Sequence, residues 1–96
     1  MSHIVNVDIQ VIPITSNDIY PIVDRAIEVI QASGLKYDIG PSGTTLEGPL
    51  DDCLQVAKAA HQAGFVDGVQ RVVTIVKIED AVGGSSIDSK IAKYRT

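Results

Sequence analysis

Ninety-six residues make a single domain, and a chain this short buries a smaller share of its surface than a larger fold does, so oligomerisation is an expected source of extra burial. With 45% hydrophobic and 21% charged residues the composition is that of a globular protein, and a formal charge of -4 argues against nucleic acid and anionic membrane as partners and for a cationic small ligand. The single cysteine, Cys53, excludes an internal disulfide and a multi-cysteine metal site.

In chain order, Ile4 to Ile12 alternates cleanly, with Val5, Val7, Ile9 and Val11 on one side and Asn6, Asp8 and Gln10 on the other. This predicts a central strand with one polar face, ended by Pro13. Thr15-Ser16-Asn17-Asp18 offers several helix caps, and with Asp18 as N-cap Pro21 falls at N3, where a missing N–H has no helical partner to lose. Ile19, Ile22, Val23, Ala26, Ile27 and Ile30 then form the stripe of a core-facing helix, closed by Gly34 with Leu35 behind it.

The stretch from Leu35 to Gly48 reads as a tight hairpin: Lys36 to Ile39, a turn at Gly40-Pro41-Ser42-Gly43, and a return strand from Thr44 to Glu47. Pro41 pre-sets φ for the turn, and Gly40 and Gly43 can take positive φ there without a Cβ clash. Pro49 opens a second helix with Asp51 and Asp52 in its first turn, a stripe of Leu50, Cys53, Leu54, Ala57 and Ala60, and Gly64-Phe65 closing it as Gly34-Leu35 closes the first. Val69 to Glu79 is the last strand, and Ala81 to Ser85 a loop. Ser86 to Arg95 reads as a short helix, with Ile87, Ile91 and Tyr94 on one stripe and Lys90, Lys93 and Arg95 towards its end.

Two strand–helix–strand units joined by a hairpin, with right-handed crossovers, give a ferredoxin-like α+β sandwich of βαββαβ order. Its four-stranded antiparallel sheet runs four, one, three, two and carries both main helices on one face. The first and third strands are then central. If Leu46 points to the helices beside Val7 and Ile9, Thr45 and Glu47 point out beside Asn6, Asp8 and Gln10.

That acidic face has two readings. A half-polar antiparallel strand is the rule, so Asp8 and Glu47 suit a solvated or dimer-paired surface. Two carboxylates among hydroxyls and amides also suit a floor that binds a cation, with Glu47 leading and Asp8, Thr45, Tyr37, Thr44, Asn6, Gln10 and Gly43 around it. Tyr37 is more often a core or interface aromatic than a stacking platform. His3 and His61 stand far apart, no metal cluster is expected, and Cys53 fits the buried stripe as a small hydrophobe. No nucleophile, base and oxyanion arrangement is legible, so no enzyme is predicted. The Gly64-to-Arg71 run resembles an acylphosphatase phosphate loop only superficially, because it precedes the last strand instead of following the first.

The run from Tyr37 to Gly48, with its Gly-Pro-x-Gly-Thr-x-x-Glu-Gly core, resembles the signature hairpin of the small thiamine-binding protein family, related to YkoF-type hydroxymethylpyrimidine and thiamine binders. Ile12-Pro13, Ser16 to Tyr20, and Arg71 to Ile78 resemble that family's flanking pattern. Thr15 stands where relatives often have glycine, and Ser42 where many have a bulkier residue. The resemblance implies a ferredoxin-like subunit that pairs into dimers and tetramers and binds thiamine or its pyrimidine precursor without catalysis or a cofactor. The competing class is an ACT-like regulatory or assembly module that binds another small molecule or only other subunits. No targeting or membrane-spanning pattern is present, and the expected location is cytoplasmic.

Overall fold

The computed structural model describes residues 3–94, so Arg95 of the expected basic cluster lies outside the described residues. The order is β1 (Ile4–Pro13), α1 (Tyr20–Ala32), β2 (Lys36–Ile39), β3 (Thr44–Pro49), α2 (Leu50–Ala63), β4 (Val72–Glu79) and α3 (Ile87–Ile91), followed by a 3-10 turn at Ala92–Tyr94. The sheet is antiparallel with order β2-β3-β1-β4, as the ferredoxin-like reading requires.

Register decides which side chains share a face. Val7 lies opposite Leu46 and Ile78, and Ile9 opposite Thr44 and Val76, so these residues face α1 and α2. Val5, Val7, Ile9 and Leu46 form the floor of the core, roofed by Ala26 and Ile30 of α1 and by Cys53, Ala57 and Ala60 of α2. Each fully buried aliphatic of this kind is worth about 1.5–3 kcal/mol relative to an exposed one. The alanines let the helices sit close, and Gly64 extends this: a Cβ there would meet Val72 and Val11 side-chain carbons at 3.1 and 3.2 Å.

Several local expectations change. The N-cap of α1 is Ile19, whose carbonyl accepts from the Ile22 and Val23 amides. Asp18 stands one residue earlier and accepts from the Tyr20 N–H at 3.1 Å, so Pro21 is the second helical residue and not the third. Gly34 takes the left-handed conformation at φ 81°, whereas Gly64 stays right-handed at φ -69° and is required by close approach alone. The left-handed residues after α2 are Asp67 and Gly68, in a turn that delays β4 by three residues to Val72.

The hairpin does not use the freedom its glycines have, since neither Gly40 nor Gly43 has positive φ. They are there for space. The Gly40 N–H donates to the Gly43 carbonyl at 2.8 Å, and a Cβ on Gly40 would sit 3.1 Å from that oxygen. A Cβ on Gly43 would sit 3.1 Å from both carboxylate oxygens of Asp8.

The face away from α1 and α2 is not left bare. The segment after β4 turns through Gly83 and Gly84, both at positive φ, and the Ser85 N–H joins the Ile4 carbonyl at 2.9 Å. It then lays α3 over the end of the sheet where Asn6, Glu47 and Glu79 lie.

Candidate functional site

On the face away from the main helices, Asn6 pairs across the strands with Glu47 and Glu79, and Asp8 with Thr45 and Lys77. The structure therefore brings Asn6, Asp8, Gln10, Thr45 and Glu47 together on one face. Two of the expected ligand contacts lie elsewhere. Tyr37 is opposite Leu46, and Thr44 opposite Ile9, so both belong to the helix-facing side. The period of two along a strand forces this: Tyr37 cannot share a face with Glu47 when Lys36 is its partner.

Glu47, the expected leading contact, is already engaged. Its Oε1 accepts the Ile87 N–H at 2.7 Å, at the first turn of α3, where an anion is favoured. Ser86 caps the same helix by accepting from the Ser89 N–H. Lys90 reaches Asn6 Oδ1 and stands 2.8 Å from Glu79, while Lys36 pairs with Asp88. The hydrogen bond from Lys36 to the Asp88 carboxylate raises its pKa above the usual 10.5. Asp8 accepts from the Thr45 hydroxyl at 3.2 Å and abuts Gly43. The carboxylates of this face thus hold the fold together at α3 and at the hairpin turn.

The ligand-sized space is on the other side of the hairpin. A cleft of about 460 Å3 opens between α1, the end of β1 and the Gly40–Thr44 turn, within the usual range for small-molecule sites. Ile9, Ile12, Ile19, Val23 and Ile27 give it apolar walls, and Tyr20, Asp24, Ser42 and Thr44 supply polar groups. Thr44 is only 4% exposed as a residue, but no side-chain N or O among the described residues is both buried and unpaired, so its hydroxyl, which bonds no other described residue, is at the accessible lining. Asp24 is exposed at the lining and forms no ion pair among the described residues. Tyr20, Val23, Asp24 and Ile27 lie three or four apart along α1, on one flank of its core stripe. Of the expected contacts, Thr44, Gly43 and Gln10 line this cleft.

The remaining reactive groups are placed for structure. Cys53 is fully buried, and burial, with Asp52 beside it, pushes its thiol pKa up, the opposite of an activated nucleophile. His61 meets the Thr74 hydroxyl at 2.6 Å and packs edge-on against Phe65. Among the described residues, no three His, Cys, Asp or Glu side chains gather closely enough to hold a metal, and no helix is long and apolar enough to cross a membrane.

A ferredoxin-like α+β sandwich with a ligand-sized cleft under its first helix is the class these features define. Comparison narrows it: residues 7–95 match the thiamine-binding protein family, and the chain belongs to that family. A UPF0045 protein of Clostridium perfringens is 40% identical over 91 residues, covering 94% of this chain and 96% of its own. The structure of a domain of unknown function, DUF77, from Bacillus cereus superposes with a TM-score of 0.90 at 44% identity, over 99% of this chain and 93% of that one. A "putative thiamine biosynthesis/salvage protein" from Thermotoga maritima superposes with a TM-score of 0.86 at 34% identity, over 96% of this chain and 99% of that one.

Proposed function

We propose that the protein binds thiamine or its hydroxymethylpyrimidine precursor, without converting it, in the cleft between α1 and the hairpin. The observation that carries the reading is an apolar cleft of ligand size with the Thr44 hydroxyl, which makes no hydrogen bond to another described residue, at its lining. A hydroxyl at an apolar lining is free to hydrogen-bond a ligand that enters, and such a bond is worth about 0.5–1.5 kcal/mol net. Asp24 supplies a negative charge at the lining for the fixed positive charge of the thiazolium ring, and the net charge of -4 favours the same ligand. Family membership and the Thermotoga maritima neighbour point to the same chemistry. The location that fits such a binder is the cytoplasm.

The working unit is a symmetric oligomer, a dimer of dimers. β4 is an edge strand of eight residues that exposes aliphatics on both faces, Val73 and Ile75 on one and Val76 and Ile78 on the other, which is the pattern of a strand covered by a second copy. A melting screen tests the binding reading. Thiamine or hydroxymethylpyrimidine at 100 times its Kd adds roughly 2.7 kcal/mol to stability. An unchanged melting temperature with both compounds at millimolar concentration would instead favour a module that binds only other subunits.

A further inference from the structure

The cleft has one polar feature that no side chain supplies. The β1–β4 ladder runs to Pro13 opposite Val72, but the β1–β3 ladder stops at Ile9 opposite Thr44, because the chain turns at Gly40–Gly43 before β3 begins. Beyond Ile9, one edge of β1 therefore has no strand beside it.

Which residue presents its backbone there follows from alternation. The Ile14 N–H donates to the Arg71 carbonyl at 2.9 Å, on the β4 side, and the unbroken register carries this parity back to Ile12 and Gln10. The Ile4 carbonyl, of the same parity, accepts from Ser85 at 2.9 Å beyond the end of β4. Successive residues of a strand turn their N–H and C=O to opposite sides, so Val11 aims both groups at the β3 side. Extending the β1–β3 register would set Ser42 opposite Val11, yet no backbone hydrogen bond joins them. Val11 and Ser42 both line the cleft.

We infer that the Val11 amide and carbonyl are the specificity element of the cleft, and that they recognise a flat nitrogen heterocycle carrying an amino group next to a ring nitrogen. A single extended residue offers a donor and an acceptor side by side in the plane of the sheet. An aminopyrimidine offers the matching acceptor and donor in the plane of its ring, so the ring adds to β1 where β3 falls short, with the apolar side chains of α1 available to the face it turns to the helices. A ring with a carbonyl in place of the amino group sets acceptor against acceptor and is rejected, since unpaired polar groups discriminate more strongly than missing contacts do. This inference rests on the binding reading above and assigns the pyrimidine half of the ligand to the backbone. The thiazolium half is left to Asp24.

Amide hydrogen exchange followed by NMR on the full chain tests it, with hydroxymethylpyrimidine, thiamine, and the same pyrimidine lacking its amino group as probes. In the free protein Val11 should exchange much faster than Ile9 and Ile12, its bonded neighbours. Saturation with hydroxymethylpyrimidine should slow Val11 by tenfold or more, and the analogue without the amino group should bind about tenfold more weakly. Binding by calorimetry with no change at Val11, or equal affinity for the analogue, overturns the inference while leaving the binding reading intact. A Val11 amide already protected in the free protein overturns it as well. No binding of any pyrimidine overturns both.

Discussion

Thr44 and Asp24 give the cleft one neutral and one charged contact, and substitution can separate them. Thr44→Val removes a hydroxyl that makes no hydrogen bond to another described residue, so the apo protein should melt at a nearly unchanged temperature. Affinity for hydroxymethylpyrimidine should fall several-fold, since one hydrogen bond is worth about 0.5–1.5 kcal/mol net. Asp24→Asn should weaken thiamine, which is cationic, and leave neutral hydroxymethylpyrimidine nearly unaffected; a 4 Å charge pair is worth about 1 kcal/mol in water and more where the site is dry. Calorimetric titration of both ligands against both variants reads out all four values. At this scale the sequence was only partly legible. Alternation places Asp8, Thr45 and Glu47 on one face, as the register shows, but Tyr37, set around them on the strength of the hairpin's family resemblance, lies on the other face. The place of Asp24 at the cleft lining was not legible, because a lone carboxylate on a helix looks like surface charge. The available signal was the width of the apolar stripe: Val23 and Ile27 flank a core face that Ile22, Ala26 and Ile30 already fill.

The elements show a different division of labour from the one the pattern suggested. Glu47 belongs to α3, whose first amide it accepts, so Glu47→Ala should free residues 87–91 to exchange rapidly while the sheet stays protected. Glu47→Gln keeps an acceptor and should cost less; loss of a capping contact is typically about 1 kcal/mol. The Lys36–Asp88 pair adds to the same anchorage. Because its partner raises the Lys36 pKa, whatever this exposed pair contributes is fully present below about 10.5, the ordinary lysine value, and is lost only as pH rises through the higher folded one. Both main helices, the hairpin and the strand order were legible from stripes of period 3.6 and alternation of period two. The position of α3 was not, because five helical residues carry no periodicity that says which face they cover. What the hairpin glycines are for was not legible from turn chemistry alone: Gly43 leaves room for the Asp8 carboxylate and is not in a left-handed turn.

For the whole molecule, a thin core and an exposed edge strand act together. Val7 has no exposed surface, and Val7→Asp would bury an unpaired charge at the centre of the sheet; the variant should be insoluble or unfolded by circular dichroism. β4 poses the assembly question. Light scattering at micromolar concentration should give a multiple of the 10.2 kDa protomer, and Ile75→Lys with Val76→Lys, one on each exposed face of β4, should reduce it to the protomer mass without unfolding it. A wild-type mass of one protomer would remove the assembly from the account. An oligomer is expected from chain length, the open sheet face and the short hairpin strand, whereas the exposure of β4 on both faces could not be read from a strand that is β-branched nearly throughout.

The binding claim is tested most directly by isothermal titration of hydroxymethylpyrimidine and thiamine into the wild type and into Thr44→Val. The account predicts saturable binding of both compounds, about one per chain, and affinity several-fold lower in the variant at an unchanged apo melting temperature. Absence of heat with either compound on the wild type, or equal affinity in both proteins, would contradict it.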